Sequence, residues 1–222
     1  MTRLIHKIPR NAALLVVLLV LIIASPSVSG EAAWLFVELL FDLVLLAGVY
    51  SIGLGVQRWP FITLMVLTLG MRWGELLSGY KVLDTTAAVF SVTWLAYAIT
   101  LIIAHLFQRR DVSLDTILGA MIAYLLAAVA FSMIFQIIET WSPGSFIGFP
   151  SVESGVEGDL ASTTMYFSLV CLTTMGFGEI VPVSAIARPV AVIEGVFGQL
   201  YLAVMIARLV GLHIARSSRD DG

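Results

Sequence analysis

The segment Thr173-Thr174-Met175-Gly176-Phe177-Gly178-Glu179-Ile180-Val181-Pro182 sets threonines and two glycines between apolar stretches of a chain otherwise built for lipid. A cation crossing an apolar barrier must exchange its water shell for other oxygens, and successive backbone carbonyls turned towards one axis can supply them. Thr174-Met175-Gly176-Phe177-Gly178 has the residue types such a ladder needs. Gly176 and Gly178 accept backbone conformations that a Cβ closes off, and the Thr174 hydroxyl can add an innermost oxygen ligand. Glu179 then stands at the outer mouth. The plainer alternative is a glycine-containing loop between two membrane helices.

The flanking elements decide how such a loop is held. Leu160 to Leu172 is mostly apolar, too short to span a bilayer and long enough for a helix entering it halfway. Asp159 can cap its start, and the C-terminal end of its dipole would face a cation. A long apolar helix follows from about Ala185 to His213. Helix, re-entrant half-helix, glycine loop and helix make up the plan of a tetrameric cation pore.

From Leu114 to about His213 the chain resembles the potassium channel superfamily, specifically bacterial members with one pore unit per chain. Tyr166-Phe167 match the family's pore-helix aromatic pair, Val170 its valine-type position, Thr173-Thr174 its threonine pair and Arg188 its arginine near the inner-helix start. The resemblance implies K+ sites at Thr174, Met175, Gly176 and Phe177. Gly198 falls twenty residues after Gly178, where the family often keeps a gating-hinge glycine. By that register Gln199, Leu202 and Ile206 line the cavity below the filter. Met175 replaces the usual valine, Phe177 the usual tyrosine and Glu179 the usual aspartate. Phe177 lacks the hydroxyl with which tyrosine can tether the filter to the pore helix.

Composition independently demands a membrane: 59% of the 222 residues are hydrophobic and 12% charged, and mean hydropathy is +1.00. Apolar runs at about Ala12 to Ala24, Ala33 to Val56, Phe61 to Leu77, Ala87 to Phe107, Leu114 to Ile138 and Ala185 to His213 give six candidate spans. The expectation is an all-α membrane protein of six transmembrane helices with a re-entrant pore helix, forming a homotetrameric pore. Residues 1–110 would be a four-helix bundle and 111–222 the pore domain. Arg3, Lys7, Arg10, Arg58, Arg109, Arg110, Arg216 and Arg219 collect on alternate sides, which places the filter mouth outside and, if the first span is retained, both termini in the cytoplasm. A cell (inner) membrane location follows from the bacterial resemblance. Glu139, Glu153, Glu157 and Asp159 would then lie at the outer entrance, either drawing cations or as ordinary loop acids. The short first run, its basic flank and the small residues around Ser25 to Gly30 also fit a signal peptide, although Pro26 and Val28 make a poor cleavage site.

The fourth run carries no Lys or Arg, so it lacks the basic ladder of a voltage sensor. The bundle does hold Glu38 and Asp42 at i,i+4 spacing and Arg72 and Glu75 at i,i+3, which read as an internal salt-bridge cluster or as a proton- or ligand-responsive site. Glu194 lies in an otherwise uncharged run, Val190 to Val196. It should keep its proton or meet a partner such as Ser168 or the Cys171 region, either bracing the filter from behind and making opening sensitive to protonation or serving as a packed polar residue. Cys171 is the single cysteine, so no disulfide framework exists, and the net charge of -3 carries no nucleic-acid signal. The expected function is passive, potassium-selective conduction without steep voltage gating. No enzymatic activity and no cofactor are expected beyond K+ ions in the filter, and the partners are copies of the chain and membrane lipid. A weakly selective monovalent cation channel is the nearest alternative. An ion- or proton-coupled transporter, suggested by Glu38, Asp42, Glu75 and Glu194, is a more distant one.

Overall fold

A computed structural model describes residues 10–24, 39–47, 58–78, 81–108, 113–149 and 157–220. Glu38, residues 25–30, the 109–112 link, Glu153 and the side chains of Arg58, Glu75, Asp159 and His213 lie outside that description. The described chain is mostly helical. In order come α1 (Arg10–Ala24), α2 (helical over 39–47), α3 (Arg58–Ser78), α4 (Lys81–Gln108), α5 (Leu114–Trp141), β1 (Phe146–Ile147), α6 (Glu157–Leu172), β2 (Val181–Pro182) and α7 (Ala187–Asp220).

Among the described residues three helical stretches are long and apolar enough to cross a membrane: Thr86–Gln108, Leu114–Trp141 and Ala187–Leu212. Those are the fourth, fifth and sixth expected spans. The first run gives the shorter apolar helix Asn11–Ala24, and α6 from Leu160 to Leu172 is shorter still.

Side-chain spacing explains the packing. On α1, Leu14, Leu18 and Leu21 form one buried stripe, the i, i+4, i+7 spacing of a single helix face. That stripe joins Phe41, Val44 and Leu45 of α2, Phe61 and Met65 of α3, Trp94 of α4, Ile122 and Leu126 of α5 and Met165 of α6 in one core. Asn11 Nδ2 also donates to the Asp115 carbonyl at 3.0 Å, fixing the start of α1 to the start of α5. The first four helices and the α5–α6 pair thus share apolar interior.

Helix α5 is the central strut. Its Ser113 cap accepts the Thr116 N–H, and the small residues Gly119, Ala120, Ala123, Ala127 and Ala128 are buried, which lets neighbouring helices approach closely. At its far end Glu139 is 4% exposed and accepts from the N–H groups of Gly144 at 2.7 Å and Phe146 at 3.2 Å. Glu139 is therefore a buried turn fastener, in place of the entrance acid expected from sequence. The turn carries the chain into β1, which pairs antiparallel with β2, Phe146 opposite Pro182 and Ile147 opposite Val181.

Candidate functional site: the loop between α6 and α7

Helix α6 is anchored to α5 from behind. Ser132 Oγ lies 3.1 Å from Thr164 Oγ1, and Ser168 Oγ lies 2.7 Å from the Ala128 carbonyl, so two hydroxyl contacts one helical turn apart hold the pair in register. An aromatic cluster adds to this anchoring, with Phe167 5.0 Å from Phe135 and 5.4 Å edge-on from Phe146. The aromatic pair noted in the sequence divides its work. Phe167 is 4% exposed in this cluster, whereas Tyr166 is 39% exposed and turns towards the loop.

The helix ends with its last carbonyls occupied. Leu169 accepts from Thr173 N at 3.0 Å, Val170 from Met175 N at 3.0 Å, Cys171 from Thr174 N at 3.0 Å and Leu172 from the Tyr124 hydroxyl at 3.0 Å. The C-terminal partial charge of α6 therefore acts on the loop as a field.

From Thr174 onward the backbone alternates. Thr174, Gly176 and Gly178 have φ of +57°, +60° and +87°, while Met175 and Phe177 between them do not have positive φ. An ideal Cβ at Gly176 or Gly178 would meet nothing within 4 Å, so the backbone conformation rather than space calls for glycine there. Met175 and Phe177 are 63% and 64% exposed in the single chain. The Phe177 ring lies parallel to Tyr166, with centroids 6.5 Å apart, and the Tyr166 hydroxyl donates to the Glu179 carboxylate. The hydroxyl that Phe177 lacks is thus matched by one reaching from α6 to the residue after the glycine. Sequence reasoning missed this link, although Tyr166 and Glu179 were both singled out.

Helix α7 starts at a Ser184 cap, whose Oγ accepts the Ala187 N–H at 3.0 Å, and Arg188 Nε reaches the Pro182 carbonyl at 3.3 Å. Its buried stripe is Glu194, Gly198, Tyr201 and Met205, at i, i+4, i+7 and i+11. Glu194 is fully buried, with Oε1 2.5 Å from Ser168 Oγ, the partner named from sequence. Gly198 sits against the end of α6, where any Cβ would strike the Leu172 carbonyl, and α7 runs through it as continuous helix. Tyr201 donates to the Ala120 carbonyl at 2.7 Å. Gln199, Leu202 and Ile206 fall on an exposed face, and Gln199 Nε2 donates to Thr174 Oγ1 at 2.8 Å. That bond puts the face directly beneath the loop.

The bundle holds a second polar centre. Asp42 takes the Trp73 indole N–H at 3.1 Å and lies 3.6 Å from Arg72 Nε, while the Arg72 guanidinium sits 4.5 Å from the Phe41 ring centroid. The ion pair joins α2 to α3, bringing together one member from each of the two sequence pairs. No group of three or more His, Cys, Asp or Glu side chains that could hold a metal occurs among the described residues.

Two curated proteins are similar to part of this chain. The protein LctB of Bacillus caldotenax is 28% identical over 98 residues, covering 44% of this chain and 72% of that protein. The LctB of Geobacillus stearothermophilus is 29% identical over 98 residues with the same coverage. No solved structure matches. Residues 119–213, which run from α5 through the loop to α7, match a family model described as ion channel.

Proposed function

We propose that the chain is a passive, potassium-selective channel whose filter is the ladder Thr174 to Gly178, closed by four copies around one axis. The observation that carries this reading is the alternation of positive φ at Thr174, Gly176 and Gly178. Backbone that alternates in hand turns successive carbonyls to one side, and a stack of such carbonyls replaces the water of a K+ ion. Helix α6 is the re-entrant pore helix, α5 the outer helix and α7 the inner helix of residues 111–222. Residues 1–110 form a bundle around them, without a voltage sensor. Gln199, Leu202 and Ile206 face the cavity, Gly198 brings the inner helix against the pore helix, and Glu194 braces the filter through Ser168.

Fourfold assembly is supported by what one chain leaves uncovered. Met175 and Phe177 are largely exposed, and so are Val192, Val196, Leu200 and Val204 of α7, away from its buried stripe. This exposed apolar stripe, beside the face that carries Gln199, Leu202 and Ile206, fits a helix that meets neighbouring copies as well as lipid. Inner-membrane residence and cytoplasmic termini are part of the same proposal.

The test is a reversal-potential measurement in liposomes under opposed K+ and Na+ gradients. A strong shift towards the K+ equilibrium potential is expected, and currents reversing near zero favour the weakly selective cation channel instead. Gly176→Ala should abolish conduction and leave the oligomer intact. A monomeric or dimeric mass in detergent, with flux coupled to a second ion, would instead favour a transporter.

A further inference from the structure

Thr174 is the one non-glycine position among the described residues with a positive φ, and it is β-branched, the side-chain type least suited to that region. A conformation of this kind persists when its surroundings hold it. Two contacts do so here. The Thr174 N–H donates to Cys171 O at 3.0 Å, tying the residue to the pore helix, and the Gln199 amide donates to its Oγ1 at 2.8 Å, tying it to the inner helix. The second tie crosses 25 residues of sequence. It stands beside the close approach at Gly198, where the inner-helix backbone lies on the Leu172 carbonyl.

We propose that Gln199 is a positioning residue for the innermost cation site, latching Thr174 in its left-handed conformation and fixing the direction of its hydroxyl. The proposal rests on the filter reading above. A hydroxyl oxygen has two lone pairs, and the donated amide hydrogen occupies one of them. The Thr174 hydroxyl hydrogen must then point elsewhere, which leaves the second lone pair for a cation. Without the latch the side chain is free to rotate, and the residue can relax towards negative φ, turning a carbonyl out of the ladder. The same bond makes the filter feel the inner helix: a tilt of α7 about Gly198 pulls on Thr174 directly.

Ba2+ is the probe, because it is close to K+ in radius and its double charge makes it dwell where oxygen ligands are best ordered. Its binding is measured by titration calorimetry on the purified oligomer, and its block of K+ flux is measured in liposomes. Gln199→Met keeps the length and removes the donor, and Gln199→Ala is a second variant at the same exposed position. Each should weaken Ba2+ binding about three- to tenfold, the equivalent of one lost hydrogen bond. Thr174→Val removes the acceptor and keeps the shape; calorimetry on this variant does not depend on conduction. In that background Gln199→Met should change nothing further. An equal loss in both backgrounds, or no loss with Thr174 present, overturns the latch. Failure of both Gln199 variants to form the parent oligomer also overturns it, by making Gln199 a folding residue. A parent oligomer that passes no K+ overturns the filter reading, and the latch with it.

Discussion

Replacing Glu194 by Gln should leave the protein nearly as heat-stable as the parent, whereas Glu194→Ala should weaken it clearly. The reasoning is a count of hydrogens. Ser168 Oγ lies 2.7 Å from the Ala128 carbonyl and 2.5 Å from Glu194 Oε1, and a hydroxyl has one hydrogen for two short oxygen contacts. A backbone carbonyl can only accept, so when Ser168 serves Ala128 the contact with Glu194 needs a hydrogen carried by Glu194 itself. The remaining oxygen, Oε2, has no hydrogen-bond partner among the described residues, and the side chain is fully buried. A protonated carboxyl suits that setting, and a Gln amide reproduces its shape and its donor. The expected cost of Glu194→Gln is about 1 kcal/mol or less. Glu194→Ala removes the donor and leaves a void between α6 and α7, for about 2–4 kcal/mol per chain. Thermal unfolding of the detergent-solubilised protein reads both. Infrared difference spectra should contain a protonated-carboxyl band that vanishes in Glu194→Gln. If Gln proves as damaging as Ala, the carboxylate is ionised and the hydrogen count is wrong. Tyr124 from α5 and Cys171 from α6 are titratable neighbours of this carboxyl. The role in gating is tested separately: an open probability that follows pH in the parent should lose that dependence in Glu194→Gln, and identical profiles would remove protonation from gating.

Tyr166→Phe keeps the ring parallel to Phe177 and removes the hydroxyl bonded to Glu179, so sustained currents should decay faster than in the parent. Glu179→Gln should do the same, and unchanged decay in both variants would show that the link does not steady the filter. Conductance should depend shallowly on membrane potential, because residues 87–107 of α4 contain no Lys or Arg and each charge moved contributes only about 2.3 kcal/mol per 100 mV. A steep conductance–voltage curve that needs several charges per chain would contradict this. Glu139→Gln turns one acceptor into a donor facing a backbone N–H, at an expected cost of about 1–3 kcal/mol in thermal unfolding with K+ over Na+ preference unchanged. A loss of preference without a loss of stability would return Glu139 to the cation entrance.

The sequence by itself determined the elements of the loop and its surroundings. Glycine at 176 and 178 declares positive φ, since few other residues tolerate it, and apolar run lengths separate a half-length helix from full-length ones. These are local properties, written in residue type and spacing, which is why α5, α6 and α7 fell close to where they were expected. An uncharged run around Glu194 likewise demanded a partner, and Ser168 was within reach on the neighbouring helix. The tertiary structure decided what depends on two segments meeting. Glu139 looked like a mouth acid until the turn at Pro143-Gly144 folded its N–H groups back onto it; a carboxylate a few residues before a Pro-Gly turn was the available signal. Asp42 joined Arg72 across helices, because a buried charge seeks whichever opposite charge the packing brings near, and i,i+4 spacing cannot anticipate a neighbour on another helix. Gly198 stands where the resemblance puts a hinge, and the packing gives its missing side chain a further use, room for the Leu172 carbonyl. The bonds from Tyr166 to Glu179 and from Gln199 to Thr174 exist because α6 and α7 both pack against one short loop, and that convergence is a property of the packed chain.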